Sequence, residues 1–254
     1  MSELRRAFEL MDALDERTAE RLEPTRYGPV VVHERLHHVH DLNFLRADDA
    51  GEATAEELAA EADRVQGAFG IGHRRVNLRD AETAARLEHR FTALGWEPQR
   101  FVLMALRREP DKPAAVEVLE VDEPTLRPLW AEATRRFPHG KDEEVVQQIL
   151  EHRRLVAEAL PTRYFAVEAA GELVAHAELY SLGGVGQVEN VVTLDEYRNR
   201  GFARALVLRA AAASRETGND LTFLVADADG WPQQLYEKLG FETVARYARY
   251  LRPA

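Results

Sequence analysis

The sequence predicts a fold of the α/β (α+β) class, in which helices pack on the faces of a sheet. Two observations support this prediction. Strand and helix patterns alternate through the second half of the chain, and one helix–strand pattern closes both halves. The length of 254 residues also fits two domains, because single domains cluster near ~100 to 150 residues.

The boundary between these domains is predicted in the segment Arg107 to Ala115. Its sequence, RREPDKPAA, places charges and two prolines between apolar runs, which is typical of a linker. We therefore expect one domain over residues 1–110 and a second over residues 115–254.

The closing pattern of the two halves indicates an internal duplication. Leu94-Gly95-Trp96 aligns with Leu239-Gly240-Phe241, and Phe91 then aligns with Tyr236. In each half the glycine follows a helical pattern and precedes a strand pattern, as expected where a helix ends.

The second half contains five strand patterns and four helical patterns. The strand patterns lie at Ala115–Val121, Tyr164–Ala169, Leu173–Tyr180, Gln187–Thr193 and Leu221–Ala226. The helical patterns lie at Pro124–Arg136, Asp142–Ala159, Gly201–Thr217 and Trp231–Leu239.

Composition excludes several classes of function. The 33 basic and 44 acidic residues give a net charge of −11, which opposes binding to nucleic acid or anionic lipid. The chain has no cysteine, so disulfides, thiolate zinc ligands and cysteine nucleophiles are excluded. The first residues lack the apolar stretch of a signal peptide, and no run approaches the ~18 apolar residues of a membrane span. We expect a soluble, cytoplasmic protein.

The segment from Val188 to Ser214 carries the clearest chemical signal. A strand rich in valine and threonine runs into Arg198-Asn199-Arg200-Gly201-Phe202-Ala203, which opens a helix. The first turn of a helix leaves about four N–H groups unpaired and carries roughly half a positive charge, so it favours a phosphate. Gly201 allows the backbone to approach such a ligand closely.

Three arginines, Arg198, Arg200 and Arg204, add cations suited to a diphosphate. The simpler interpretation is a solvated helix face whose arginines pair with Asp195 and Glu196. A solvated face does not need a glycine at the helix start, which favours the phosphate.

The motif Arg198-x-x-Gly201-x-Ala203 after a Val-Val-Thr strand resembles the acyl-CoA loop of the GNAT superfamily of N-acyltransferases. Downstream, Asp229-x-x-Pro232-x-x-Leu235-Tyr236-x-Lys238-x-Gly240-Phe241 resembles the closing helix and strand of that family. Asp229 and Pro232 depart from the asparagine and alanine that the family often has there. The order of elements extends the resemblance back to Ala115.

The resemblance implies two tandem GNAT-like domains, each a mixed, mostly antiparallel sheet flanked by helices. The N-terminal half lacks an Arg/Gln-x-x-Gly-x-Gly/Ala loop, so it is identified as a degenerate copy that does not hold acyl-CoA in this way. The C-terminal domain is expected to bind acetyl-CoA as acyl donor, without a metal. The implied cofactor-binding residues are Val191, Val192, Thr193, Arg198, Asn199, Arg200, Gly201, Phe202, Ala203, Arg204 and Asp229.

The resemblance also implies roles in catalysis. Backbone groups of Val191, Val192 and Thr193 are expected to pair with pantetheine, and one N–H to bond the thioester oxygen as negative charge develops. Tyr236 falls where the family places the acid that protonates the leaving thiolate. The simpler interpretation of Tyr236 is an amphipathic core tyrosine.

Glu189 is the best sequence candidate for the general base. Strand alternation predicts that it shares a face with Val191 and Thr193, where an amine would meet the thioester. A solvent-facing glutamate is the simpler interpretation, and Glu178 on the preceding strand is the fallback.

A competing motif, His33-Glu34-Arg35-Leu36-His37, spells the H-E-x-x-H signature of zinc hydrolases. That chemistry needs both histidines on one helix face, whereas this segment follows three valines and has an extended pattern. On a strand the two histidines would stand ~13 Å apart, too far for one zinc ion. A polar lining, or an exposed strand, is the favoured interpretation.

The expected function is that of an acetyl-CoA-dependent N-acetyltransferase in which an amine attacks the thioester directly. The alternatives are a non-catalytic acyl-CoA sensor and a zinc hydrolase using His33, Glu34 and His37. The expected partners are acetyl-CoA and an amine acceptor, without nucleic acid or membrane, and the sequence permits a homodimer.

Overall fold

A computed structural model describes residues 2–254, apart from the side chain of His139, and divides them into two compact units. The larger unit comprises residues 2–14, 104–226 and 231–244, and the smaller unit comprises residues 15–103, 227–230 and 245–254. The units interleave along the chain, whereas the linker composition predicted successive domains at 1–110 and 115–254. The reason is that long-range strand pairing assigns the terminal elements, and linker composition does not encode such pairing.

The first half of the chain supplies most of the smaller unit. Its elements are α1 (Glu3–Thr18), β1 (Arg21–Thr25), β2 (Gly28–Val32), β3 (Phe44–Arg46), α2 (Ala55–Ala68), β4 (Arg74–Leu78), α3 (Ala81–Ala93) and β5 (Glu97–Leu106). Strands β1, β2 and β3 pair antiparallel in that order, and β4 runs parallel to β3 after the α2 connection. Residues 3–14 of α1 and residues 104–106 of β5 belong to the larger unit.

The second half supplies most of the larger unit. Its elements are β6 (Leu119–Val121), α4 (Glu123–Arg135), α5 (Glu143–Ala159), β7 (Thr162–Ala169), β8 (Glu172–Leu182), β9 (Val185–Thr193), α6 (Phe202–Glu216), β10 (Leu221–Asp227), α7 (Pro232–Lys238) and β11 (Phe241–Arg252). Strands β6 to β9 pair antiparallel in chain order, and β10 runs parallel to β9 after the α6 connection.

The fold class predicted from the sequence is confirmed, with mixed and mostly antiparallel strand pairing flanked by helices. The predicted helices and strands of the second half lie within two residues of the observed ones, with one exception. Strand β6 begins at Leu119 rather than Ala115, because its pairing with β7 begins where Leu119 meets Ala166. Within residues 2–254, no helix combines the length and apolar character needed to cross a membrane.

The two halves of the chain repeat one order of elements. The series β1-β2-β3-α2-β4-α3-β5 matches β7-β8-β9-α6-β10-α7-β11, with the same antiparallel and parallel pairings among the first four strands of each. At the aligned helix ends, Phe91 packs edge to face on Trp96 at 63°, and Tyr236 packs on Phe241 at 62°. This repetition supports the predicted duplication.

The last strand of the chain completes the sheet of the smaller unit. Residues 248–252 of β11 pair antiparallel with residues 74–78 of β4. Tyr250 is fully buried there, stacks on Phe91 with ring centroids 4.2 Å apart, and donates a 2.6 Å hydrogen bond to the carbonyl of Ala84. The core of the smaller unit therefore depends on residues at the C-terminal end of the sequence.

Candidate functional site

The loop between β9 and α6 leaves a set of backbone amides without partners in the helix. Asn199 and Gly201 have left-handed φ angles of 63° and 82°, and α6 begins at Phe202 with no side-chain cap. The N–H of Ala205 donates to the carbonyl of Gly201, so the preceding N–H groups of the first turn lack a partner within the helix. Amides presented in this way at a helix N-terminus bind anions.

Gly201 is needed at this loop for its backbone conformation. A Cβ at this position would meet no atom within 4 Å, so the left-handed φ, and not a lack of space, is what favours glycine. The open space beside Gly201 lies directly before the first turn of α6, where a phosphate would sit.

Helix α2, which occupies the same place in the smaller unit, has a closed N-terminus. The Thr54 hydroxyl accepts a hydrogen bond from the Glu57 N–H (3.2 Å), and the Glu57 carboxylate accepts one from the Thr54 N–H (2.9 Å). Glu56 and Glu57 also place negative charge in the first turn. These groups occupy two of the amides at this helix start, and their negative charge also repels an anion.

Two of the three predicted phosphate arginines lie on the surface and contact their own loop. Arg198 pairs with Asp195 at 2.7 Å, as the simpler interpretation had it. The Arg200 guanidinium lies 5.1 Å from the ring centroid of Tyr197 and donates a 3.2 Å hydrogen bond to the carbonyl of Glu196. Both side chains are exposed, so a diphosphate would compete only with weak surface contacts.

The third arginine, Arg204, holds the linker. Its guanidinium donates to the Asp111 carboxylate (2.7 Å) and to the carbonyl of Lys112 (3.1 Å), while the Asp111 N–H donates to the carbonyl of Lys238 (2.9 Å). The bond from Arg204 lowers the pKa of Asp111. Arg204, which the sequence predicted to bind the phosphate, is therefore bound by the linker instead.

Strand β9 contains a bulge at Asn190. Glu189 lies opposite Glu178 of β8, but Val192 lies opposite His176, so three steps along β9 match two steps along β8. Asn190 takes the left-handed φ of 52° that the first residue of such a bulge can adopt. The bulge interrupts regular pairing directly before the residues expected to contact the thioester.

The bulge changes which side chains share a face. Directly opposed residues of an antiparallel pair project to the same side, so Glu189 lies on one face with Val192. The prediction that Glu189 shares a face with Val191 and Thr193 is therefore wrong. One extra residue shifts the alternation, and a bulge leaves no periodic signal in the sequence.

Tyr236 and Glu189, the predicted acid and base, interact electrostatically. Burial, and secondarily the negative charge of Glu189, raise the pKa of Tyr236 to about 12. The phenol therefore stays protonated at neutral pH, as a proton donor must. Glu189 accepts a 2.6 Å hydrogen bond from the Gln187 amide.

Asp229 lies in the smaller unit, where it stabilises the turn after β10. Its carboxylate accepts a 2.8 Å hydrogen bond from Arg100, and its N–H donates to the Asp227 carboxylate at 2.9 Å. A contact between Asp229 and the cofactor stays a prediction.

A buried polar network beside the bulge was missed by the sequence analysis. Arg153 of α5 pairs with Glu178, which is 1% exposed, and the Tyr180 hydroxyl donates to Glu178 at 2.6 Å. The Asn190 amide donates to both Glu178 (3.0 Å) and Tyr180 (2.9 Å). With three donors on its carboxylate, Glu178 is a poor candidate for taking a proton from an amine. Alternation on β8 indicates that Glu178 and Tyr180 share a face, but no sequence pattern links them to Arg153.

The histidine-rich segment does not form the helix that the zinc signature requires. Strand β2 ends at Val32, and two separate 3-10 turns follow at Glu34–Leu36 and His40–Leu42. The expected extended conformation is thus present in β2 and in β3 but is interrupted by these two turns. His33 is buried, with Nδ1 3.5 Å from the Glu20 carboxylate. These 3-10 turns give no support to a zinc hydrolase.

Residues 125–241 match the model of the Acetyltransferase (GNAT) family. A stretch of 95 residues, 35% of this chain, is 33% identical to the glucosamine 6-phosphate N-acetyltransferase of Trypanosoma brucei brucei. That stretch spans 63% of the length of this relative.

Two solved structures share the fold over most of the chain. One is a GCN5-related N-acetyltransferase from Kribbella flavida, with a TM-score of 0.60, 19% identity, and coverage of 97% of this chain and 95% of the other. The second is a tandem GNAT protein from the clavulanic acid biosynthesis pathway, with a TM-score of 0.52, 13% identity, and coverage of 82% and 74%. At these identities the likeness concerns the fold alone. The similarity to the Acetyltransferase (GNAT) family therefore lies in residues 125–241 of this chain.

Proposed function

We propose that the larger unit transfers an acetyl group from acetyl-CoA to a primary amine of a small-molecule acceptor, by direct attack in a ternary complex. The observation that carries this proposal is the uncapped N-terminus of α6, which follows the bulged strand β9 after one loop. GNAT enzymes use acetyl-CoA as donor, and this pair of features suits its diphosphate and its thioester.

The donor would bind through backbone groups first. The amides at the start of α6 take the diphosphate, and Arg198 and Arg200 can leave their surface contacts to join it. Pantetheine then runs along Val191 to Thr193. An N–H of that stretch bonds the thioester oxygen and stabilises the negative charge that develops on it.

Proton transfer would involve Glu189 and Tyr236. The amine nitrogen attacks the thioester carbon and gives a proton to Glu189, directly or through a water molecule. As the C–S bond breaks, the Tyr236 phenol protonates the departing thiolate. The proton on Glu189 then returns to the tyrosinate, which leaves an amide and a free thiol. Tyr236 and Glu189 lie close enough to interact electrostatically, which supports this pairing.

We also propose that the first half is a degenerate copy without acyl-CoA. Its matching helix, α2, begins with a capping box of Thr54 and Glu57, whereas α6 begins without a side-chain cap. The repeated order of elements supports a shared origin, and the capped helix explains why only one copy would bind the donor.

The test has two steps. Acetyl-CoA should raise the thermal stability of the wild type, as any ligand of the folded state does, and Gly201→Glu should abolish this shift. Thiol release is then followed with a panel of amines that includes glucosamine 6-phosphate, polyamines and aminoglycosides. Binding of acetyl-CoA without thiol release in the presence of any amine would mean an acyl-CoA sensor. Absence of binding would refute both the acetyltransferase and the sensor.

A further inference from the structure

One side chain ties the bulge of β9 to the neighbouring strand. The Asn190 amide donates to Glu178 (3.0 Å) and to the Tyr180 hydroxyl (2.9 Å), and Tyr180 itself donates to Glu178 (2.6 Å). These bonds close a triangle between the extra residue of β9 and two side chains of β8. The hydrogen-bonding groups that meet in it are satisfied by one another.

The carboxylate in this triangle is held from the helix side as well. Glu178 is 1% exposed and pairs with Arg153 of α5, whose guanidinium lies 4.9 Å from the ring centroid of Trp130 of α4. A buried carboxylate with a cation and two hydrogen-bond donors around it has little freedom to move, because any displacement leaves a charge unpaired. Helices α4 and α5 therefore fix Glu178, and Glu178 fixes Asn190.

The asparagine at position 190 meets two requirements, one for the backbone conformation and one for side-chain hydrogen bonds. A left-handed φ of 52° disfavours most L-residues, and glycine would adopt it at the least cost. Asparagine tolerates this conformation, but in addition it supplies the amide that bonds Glu178 and Tyr180. The network thus uses the side chain of Asn190 and not only its backbone angle.

We propose that Arg153, Glu178, Tyr180 and Asn190 are positioning residues, which fix the bulge and thereby aim one N–H group of residues 191–193 at the thioester oxygen. The inference rests on the proposed acetyl transfer. Donors act on a developing oxyanion only when they are already aimed at it, and a 1 Å misplacement can cost about 10²-fold in rate. None of the four residues needs to touch the substrate or to exchange a proton with it.

The first test is Asn190→Gly, which keeps the left-handed backbone accessible but removes the amide. We expect kcat to fall about tenfold or more, while the Kd of acetyl-CoA stays within about twofold, because the diphosphate contacts are unchanged. Ala170→Gly is the matched control, since Ala170 also has a left-handed φ (56°) but lies in the turn between β7 and β8. Turnover of Asn190→Gly equal to the wild type would overturn the proposal.

A pH profile gives a readout that loss of packing alone would not produce. Asn190→Asp keeps the shape of the side chain but sets a second carboxylate against Glu178. We expect low turnover at pH 8 that recovers toward pH 6, because a protonated aspartic acid can again donate a hydrogen bond. The ratio of its kcat to that of the wild type should therefore rise as pH falls, and a constant ratio would contradict the proposal.

Tyr180→Phe supplies an independent variant should both substitutions at 190 unfold the protein. It removes the hydroxyl that bonds Glu178 and Asn190 while keeping the ring, and we expect a fall in kcat of about threefold or more at constant Kd. The adjacent surface arginine Arg154, which pairs with Glu151 and Glu158 of its own helix, gives the control Arg154→Gln. A change in Kd alone would speak against a positioning role.

Hydrogen exchange separates failure of this inference from failure of the proposed function. If the wild type turns over and Asn190→Gly matches it, only the positioning role fails. If no amine supports turnover, the proposed function fails. Hydrogen exchange of the amides of residues 191–193 then tests the positioning role by itself. If acetyl-CoA slows this exchange in the wild type but not in Asn190→Gly, the positioning role is supported. Equal slowing in both proteins, or no slowing in the wild type, overturns it.

Discussion

The Asp111 carboxylate accepts a 2.7 Å hydrogen bond from Arg204, so a residue of the linker holds a guanidinium in the first turn of α6. Asp111→Asn should weaken this hold and leave Arg204 available to the diphosphate. We expect the Kd of acetyl-CoA to fall by about twofold to fivefold, the scale of a partly exposed ion pair. Isothermal titration at low salt measures the effect, with Glu109→Gln as a linker control. An unchanged or higher Kd would mean that Arg204 has no part in donor binding.

Tyr236→Phe should separate chemistry from binding. Loss of a general acid typically costs 10² to 10⁴-fold, so we expect kcat to fall about 10²-fold or more with the Kd of acetyl-CoA within about twofold. The matched control is Tyr250→Phe, which removes the bond to the carbonyl of Ala84. The control should lower the free energy of unfolding by about 1 kcal/mol and leave kcat unchanged. Equal kcat values for the two variants would remove Tyr236 from the mechanism.

Glu189→Gln should slow amide formation without weakening donor binding. The amide oxygen can still accept a hydrogen bond from Gln187, so the local structure is retained while the proton acceptor is lost. We expect kcat to fall by about 10²-fold, measured by thiol release at saturating amine. Glu168→Gln, the same change at an exposed position of β7, is the control. Comparable rates in both variants would assign the base elsewhere.

His73 should make the smaller unit sensitive to acid. Burial, with the His40 ring and nearby arginines as lesser causes, lowers the pKa of His73 to about 3, and its Nε2–H donates to the carbonyl of Asn43 (3.0 Å). Between about pH 6.5 and pH 3 the unfolded chain binds a proton at this histidine and the folded chain does not. The free energy of unfolding therefore falls with decreasing pH, by up to ~1.4 kcal/mol per pH unit.

The variant His73→Gln tests this pH dependence. Its amide can still donate to Asn43 but does not titrate. Urea unfolding at pH 7 and pH 5 should show a smaller loss of stability for the variant than for the wild type. Equal losses would mean that other groups control the acid sensitivity.

The two glycines of the repeated motif should respond unequally to substitution. Both have left-handed φ angles, 81° at Gly95 and 95° at Gly240, which cost an alanine about 1–2 kcal/mol. A Cβ at Gly95 would meet nothing, but one at Gly240 would lie 2.0 Å from the carbonyl oxygen of Arg108. We expect Gly240→Ala to lower the free energy of unfolding well beyond Gly95→Ala. Equal losses in chemical denaturation would show that the linker backbone near Arg108 yields easily.

Local patterns predicted the elements, because the periodicity of a helix or strand is written within ten or so residues. Helix α6 and its glycine start were found in this way, and so was the helix that carries Tyr236. Contacts between residues that are far apart in the sequence produce no such local pattern. Nothing in the linker sequence signals that Asp111 will meet Arg204, and nothing near β4 signals that residues 248–252 will pair with it.

The misplaced face of Glu189 has a similar cause. Alternation assumes one residue of β9 for each residue of β8. The bulge at Asn190 breaks this match, and the sequence has no glycine there that would have indicated a bulge. The network around Glu178 stayed hidden for the same reason, since its members come from α5, β8 and β9 and meet only after the bulge has formed.

The pairing of residues 248–252 with β4 also bears on how the protein emerges from the ribosome. At translation rates of ~5–20 residues per second, the nascent first half waits on the order of ten seconds for the strand that covers β4. An uncovered strand edge invites association with other chains during that interval. Slow codons or low temperature would prolong this exposure, and a deletion of the last dozen residues would make it permanent.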